Sequence, residues 1–167
     1  VCSSDLIEGA HQISEQDLRP LIGVREGEPL NLFALSQGLE ELRTYYKDRG
    51  YLDFQILNQE SEDIIIYSRE DRSADVTLKL SEGSLARVSK FDISGTVKTQ
   101  EYVIQDQLLF KVDDVLTESK LQGTEKNLRK LGIFSSLNLR VSDDPSRPGY
   151  KVVVIKVQEA DRGVLTW

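Results

Sequence analysis

The chain repeats itself once, and that repeat limits its architecture more than any other feature. Ile7-Glu8-Gly9 recurs as Ile93-Ser94-Gly95, an offset of 95 − 9 = 86 residues. The same offset pairs Leu18 with Ile104, Ile22 with Leu108, Leu30 with Leu116, Leu35 with Leu121 and Leu42 with Leu128. Further on the offset becomes 137 − 54 = 83, and Phe54 falls on Leu137 and Ile56 on Leu139. Apolar residues meet apolar residues throughout, so one core pattern is used twice. Solenoid repeats run to about 20–50 residues. A longer period reads as two compact modules in tandem, each of about 80 residues and able to bury a modest core of its own.

The order of elements repeats as well. In the first module a short strand through Leu6 and Glu8 ends at Gly9. Ser14-Glu15-Gln16-Asp17 fits a capping box opening a short helix, which Pro20 should make irregular. Leu35, Leu39, Leu42 and Tyr46 share one face of a longer helix that Gly50 terminates. Phe54 and Ile56 alternate with polar neighbours, as a half-buried strand does. Asn58 to Asp63 interrupts it as a bulge or loop before Ile64-Ile65-Ile66-Tyr67. A polar turn at Glu70-Asp71-Arg72-Ser73 leads to a strand alternating at Val76, Leu78 and Leu80. In the second module Thr99 is placed to cap a short helix with Ile104 and Leu108. Thr117 is placed to cap a longer one with Leu121, Leu128 and Leu131. Leu137, Leu139 and Val141 alternate in a strand, and Val152-Val153-Val154-Ile155 suits the centre of a sheet. The expected fold is α+β: two tandem β-α-α-β-β modules, each a three-stranded mixed sheet covered by two helices. Their expected bounds are 1–84 and 85–160, with 161–167 leading onward.

Charge and composition narrow the function. Lys and Arg number 21 against 28 Asp and Glu, a net charge of −7. An acidic chain without a basic stripe does not suit nucleic acid or an anionic membrane surface. The single Cys2 forms no intrachain disulfide, and no apolar run reaches the length of a membrane helix. His11 is the sole histidine and reads as a surface loop residue, not a metal site. The paired carboxylates Glu40-Glu41, Asp113-Asp114 and Asp143-Asp144 read as solvated turns and helix faces. No phosphate loop or nucleophile elbow is written in the chain. The reading is of a protein without catalytic residues, cofactor or metal.

The order strand–Gly, short helix, Gly-Glu-Pro-Leu, long helix, Gly-Tyr, hairpin, Glu-Gly resembles the POTRA domain of BamA/TamA-type outer-membrane β-barrel assembly factors. The residues that carry it are Gly9, Gly27-Glu28-Pro29-Leu30, Tyr45-Tyr46, Gly50-Tyr51 and Glu82-Gly83, then Gly95, Leu131-Gly132, Phe134, Val157 and Glu159. Val112-Asp113-Asp114 departs from the family's Gly-Asp turn, and Ala10 and Thr96 stand where Asn is common. Gly163 to Trp167 resembles the join to a first barrel strand, and Trp167 reads either as an interface aromatic, if a barrel follows, or as a frayed terminus. The resemblance implies a membrane-proximal pair in the periplasm of a Gram-negative bacterium. The implied partners are unfolded outer-membrane proteins, accessory lipoproteins or periplasmic chaperones, and the chain's own C-terminal β-barrel. A two-partner secretion transporter and a structural spacer are the alternatives.

The physics of a small sheet points to its edges. An edge strand offers unpaired N–H and C=O groups, and an extended client can add there as a further strand. The strand after the long helix is expected at an edge, with Phe54, Ile56, Leu137, Leu139 and Val141 lining the client groove. The same residues are also candidates for plain core. The Asn58–Asp63 interruption should make the first module the less receptive of the two.

Overall fold

The computed structural model describes residues 1–68, 70 and 72–161. Gly163 to Trp167 and the Arg69 and Asp71 positions of the hairpin turn lie outside the described residues. The chain divides into two compact units, Val1–Ser84 and a second from Leu85 onward.

In module one β1 (Cys2–Glu8) lies parallel to β4 (Ala74–Ser81) in register Ile7↔Leu78. Between them come α1 (Glu15–Leu18), α2 (Leu32–Lys47), and the short strands β2 (Gln55–Ile56) and β3 (Ile65–Tyr67). Both short strands pair antiparallel with β4, so β4 is the centre of the sheet. The β1 strand begins earlier than the alternation suggests, and Cys2 is fully buried in the core. The Ser14 hydroxyl caps α1 by accepting from the Gln16 N–H, and at Arg19-Pro20-Leu21 the helix tightens to a 3₁₀ turn as proline requires. All four periodic residues of α2 are buried, Leu42 and Tyr46 completely.

Module two repeats the arrangement with longer strands. Here β5 (Arg87–Ser94) is parallel to the central β7 (Tyr150–Glu159), and β6 (Phe134–Asp143) is antiparallel to it on the other side. The helices are α3 (Glu101–Gln105) and α4 (Glu118–Lys130). Thr117 caps α4 by accepting from the Lys120 N–H. Thr99 does not cap α3: Gln100 holds that position, and the Thr99 N–H is taken elsewhere, as described next.

One joint recurs in both modules. Gly9 and Gly95 leave the first strand with φ of +91°. A Cβ at either would overlap the carbonyl oxygen of Leu80 or Val157 on the central strand. Two residues later that central strand presents a carboxylate to the loop. Glu82 accepts from the N–H groups of His11 (2.6 Å) and Gln12 (3.0 Å), and from the Tyr46 hydroxyl at 2.8 Å. Glu159 accepts from the N–H groups of Val97 (2.9 Å), Lys98 (2.9 Å) and Thr99 (2.7 Å). Burial of Glu82 opposes its ionisation, but the His11 N–H, the Tyr46 hydroxyl and the Gln12 N–H outweigh it and hold the carboxyl below its ordinary range. Tyr46 responds in the opposite sense: burial and the Glu82 carboxylate push its hydroxyl up. The Thr99 and Val97 N–H groups bring Glu159 down to about 2.

Two predictions follow from this joint. Gly95→Ala should destabilise module two by about 3 kcal/mol, combining left-handed strain with overlap. Gly132→Ala, at φ +66° with open space around the new methyl, should cost only about 1 kcal/mol. Hydrogen exchange of the Val153 and Ile155 amides reads both. Glu159, lowered from 4.5 to about 2, contributes fully above its unfolded value, and that contribution is lost as pH falls toward the folded one. The N–H proton shifts of Val97, Lys98 and Thr99 should therefore titrate together with a midpoint of about 2. In Glu159→Gln that titration should vanish. Shifts of these three amides that move with separate midpoints would refute the shared carboxylate.

Candidate functional site

The two outer edges opposite the first strands differ sharply. In module one the edge strand is broken. Leu57 donates to the Lys79 carbonyl at 2.7 Å, and there the chain leaves the sheet. The Asn58 side chain takes its place: the carboxamide nitrogen donates to the Thr77 carbonyl at 2.8 Å, and its oxygen accepts from the Lys79 N–H at 3.0 Å. Asn58 thus imitates a backbone residue on the flank of β4, and it is buried. The excursion is pinned from outside by Lys79 and Asp63 at 2.8 Å. Each partner's hydrogen bond favours the other's charge, so Asp63 titrates below and Lys79 above its ordinary value. The chain rejoins the sheet at Ile65.

Phe54 and Ile56 therefore do not line a groove. Both are core residues, and Phe54 precedes β2 with its ring stacked on Tyr46 at 4.1 Å. Their alternation is genuine, but the apolar face points under the helices. The expected edge strand from Phe54 to Tyr67 shrinks to the short β2 and β3.

In module two the edge is one ten-residue strand, with a register shift between Phe134 and Ser136 and unbroken pairing from there to Asp143. Asp144 donates to the Tyr150 carbonyl at 3.0 Å. Antiparallel ladders alternate, and the register pairs Leu139 with Ile155 and Arg140 with Val154. The even-numbered residues Asn138, Arg140 and Ser142 therefore turn their N–H and C=O groups toward β7. Leu137, Leu139 and Val141 turn theirs outward. The side chains of these same three residues stand on the helix face, opposite Val157, Ile155 and Val153. They are half-buried: one flank meets the core and the other is open at the edge. The three residues thus combine outward backbone groups with an apolar flank.

The first strands are better covered. In β1 the Cys2 N–H donates to the Glu28 carbonyl and the Cys2 carbonyl accepts from Gly27, while Arg19 donates to the Asp5 carbonyl and pairs with its carboxylate. In β5 the Val88 N–H donates to Asp114 and its carbonyl accepts from Asp113. His11 is exposed in its loop, with its backbone N–H held by Glu82. Among the described residues no group of His, Cys, Asp or Glu is arranged to hold a metal ion, and no helix is long and apolar enough to cross a membrane.

Sequence reasoning missed Asn58 as a strand substitute and Glu82 and Glu159 as anchors. A signal for the anchors existed, since a glutamate closes the last alternating strand of each module, Glu82 after Leu80 and Glu159 after Val157. Asn58→Ala should cost about 2 kcal/mol, because the Lys79 N–H and the Thr77 carbonyl lose their partners in a buried position. The urea midpoint of module one should fall accordingly, and the Lys79 amide should lose its exchange protection.

Comparison with known proteins agrees with this geometry. The POTRA family, described as a surface antigen variable number repeat, matches residues 6–83 and 86–160. The outer membrane protein assembly factor BamA of Neorickettsia risticii (strain Illinois) is 22% identical over 155 residues, 92% of this chain and 20% of that protein. A Treponema pallidum (strain Nichols) relative named for outer membrane protein assembly is 28% identical over 131 residues, 78% of this chain and 15% of that protein. The chain spans a fifth or less of the length of these curated relatives. Among solved structures, Haemophilus ducreyi BamA lacking POTRA domains 1–3 superposes with a TM-score of 0.78 at 17% identity, over 95% of this chain and 29% of that one. Haemophilus influenzae BamA POTRA3-5 gives 0.73 at 14% identity, over 95% and 61%. At such identities the structural likeness concerns the fold. The two family matches take in nearly all of the sequence, each with its own glycine exit and carboxylate anchor, and the chain belongs to the POTRA family as two tandem domains.

Proposed function

We propose that the chain is the periplasmic, polypeptide-receiving part of an outer-membrane protein assembly factor, and that module two takes an extended client segment as an added strand along β6. One observation carries this reading. The outer side of β6 presents the N–H and C=O groups of Leu137, Leu139 and Val141 in a straight run beside three half-buried apolar side chains. Backbone pairing is indifferent to client sequence, while alternate apolar side chains of the client can lie beside these three. That combination suits a receiver of many unfolded outer-membrane proteins. The role is non-catalytic: it asks for binding and release. Accessory lipoproteins or chaperones would act on the same assembly, and a C-terminal barrel would be the destination of the client.

The energetics favour a transient complex. Three residues supply up to six hydrogen bonds of about 1 kcal/mol each. Association and ordering costs of about 4 kcal/mol or more offset most of that. Weak binding is what a handover requires. Module one has a different part in this reading. With Asn58 filling the flank of β4 and only short strands beyond, it offers little edge to a client.

The test uses the two-module chain and a synthetic ten-residue peptide alternating valine and serine. Its addition should shift the amide resonances of Leu137, Leu139 and Val141, and leave those of Gln55, Ile56 and Ile65 to Tyr67 nearly still. A peptide N-methylated at alternate residues on its pairing side should bind about tenfold more weakly or worse, having lost several donors. Equal shifts in both edges, or indifference to N-methylation, would refute the assignment.

A further inference from the structure

One of the outward groups of β6 is not free. The guanidinium of Arg129, in the last turn of α4, donates from Nη2 to the Leu137 carbonyl at 3.5 Å. Glu125, one turn back, holds the same guanidinium through Oε1, which accepts from Nε at 3.2 Å and from Nη2 at 2.7 Å. The ion pair aims the guanidinium, and the aim brings it over the edge. Its bond to Leu137 is at the long limit for a hydrogen bond. Arg129 is also 57% exposed. It borders an open hollow along α4 with Gln122, Lys126 and Lys130. The guanidinium can therefore leave the carbonyl for water at small cost, as exposed ion pairs and contacts generally allow.

Module one carries an arginine at the equivalent helix position, since 129 − 43 = 86. Arg43 pairs with Glu40 on its own helix. It has no edge carbonyl to cover, because the residue aligned with Leu137 is Phe54, which lies before β2 and in the core. The use of this arginine on an open edge thus belongs to module two.

The geometry points to Arg129 as a displaceable cap on the β6 edge: in the free protein it occupies the Leu137 carbonyl, and an extended polypeptide displaces it to pair along the whole strand. This rests on the edge-docking reading above. Pairing then begins at Leu139 and Val141, whose outward groups have no partner among the described residues, and reaches Leu137 last. In the free protein the cap also puts a charged side chain across an otherwise flat edge, a device that hinders pairing between two copies.

The experiment compares the native two-module chain with Arg129→Ala, Glu125→Gln and Arg43→Ala, using the same alternating valine–serine peptide. Arg129→Ala should bind about fivefold more tightly, the factor expected when one competing hydrogen bond is removed. Glu125→Gln, which loosens the hold on the guanidinium, should tighten binding to a smaller degree. Arg43→Ala should match the native chain. In the native chain the Arg129 Hε resonance should move with the same midpoint as the Leu137 amide. Unchanged affinity in Arg129→Ala and a still Arg129 resonance, with β6 amides shifting normally, would overturn the cap and leave edge docking standing. No β6 shift in any of the proteins would overturn edge docking and the cap together.

Discussion

In both modules the strand that enters at the sheet edge runs parallel to the strand at its centre, and parallel neighbours cannot be joined by a tight turn. The chain between them has to leave the edge, build two helices and a hairpin strand, and return. In so small a sheet the departure point must be fixed, or the helices have no defined floor. The fixing is done by the far end of the returning strand. Gly9 lies against the Leu80 carbonyl, and Glu82 then binds the N–H groups of the departing loop. Gly95, Val157 and Glu159 do the same in module two. The first loop is thereby closed by almost the last residue of the module. Without the carboxylate, two or three backbone donors would lose their partners at once.

Around that shared joint the two copies have drifted apart in ways that keep the geometry. Gly27 takes φ +83° where the first helix pair turns, and Asp113 takes +70° at the same place. Asp is among the few residues that visit this region readily, and the backbone bonds on either side are the same: Gly27 donates to Cys2 as Asp113 donates to Val88. Where α2 meets the 3₁₀ turn, Gly38 allows the Ile22 carbonyl to approach the helix. In α4 the aligned Thr124 is fully buried, and its hydroxyl accepts from the Leu109 N–H at 3.0 Å. One module solves the crossing by absence of a side chain and the other by a hydrogen bond. The edges have drifted furthest, and there the drift changes what the surface offers.

What was legible in the sequence was whatever periodicity encodes. Leu35, Leu39, Leu42 and Tyr46 showed a helix face, and Val152 to Ile155 a central strand, because a one-dimensional pattern is enough to fix each. Alternation at Phe54 and Ile56 gave a strand but not its surroundings. An alternating apolar face belongs to a groove or to a core according to what packs over it, and that depends on Tyr46 and the helix above. Leu137, Leu139 and Val141 have the same alternation, yet stand half-buried, because β6 runs on as a free edge beside α4. Asn58 was read only as part of an interruption. Its value lies in a side-chain amide having the same donor and acceptor as a peptide group, and nothing in the sequence marks which Asn will use it against β4. Thr99 looked like a helix cap because hydroxyls next to helices usually are. Its backbone N–H instead donates to the Glu159 carboxylate, which fixes the loop ahead of α3, and the cap position falls to Gln100.

The placement of these features also separates stability from binding. The anchors join each first strand to its central strand, on one side of the sheet. The open groups of β6 lie on the other side of β7, and no bond that they make to a client replaces a bond of the anchors. A strand added at β6 extends the ladder outward and leaves the β5–β7 joint as it was. The residues whose side chains meet the core from β6 are the same ones whose backbone faces outward, so their packing can hold the edge straight without consuming its hydrogen-bonding groups. In module one Asn58 fills the flank of the central strand where a continuous edge strand would run, and the core has taken Phe54 and Ile56. The duplication thus yields one module with only two short strands beside β4 on that flank and one with a ten-residue strand there. Module two can be firmly anchored and receptive at once, because the two properties reside in different strands.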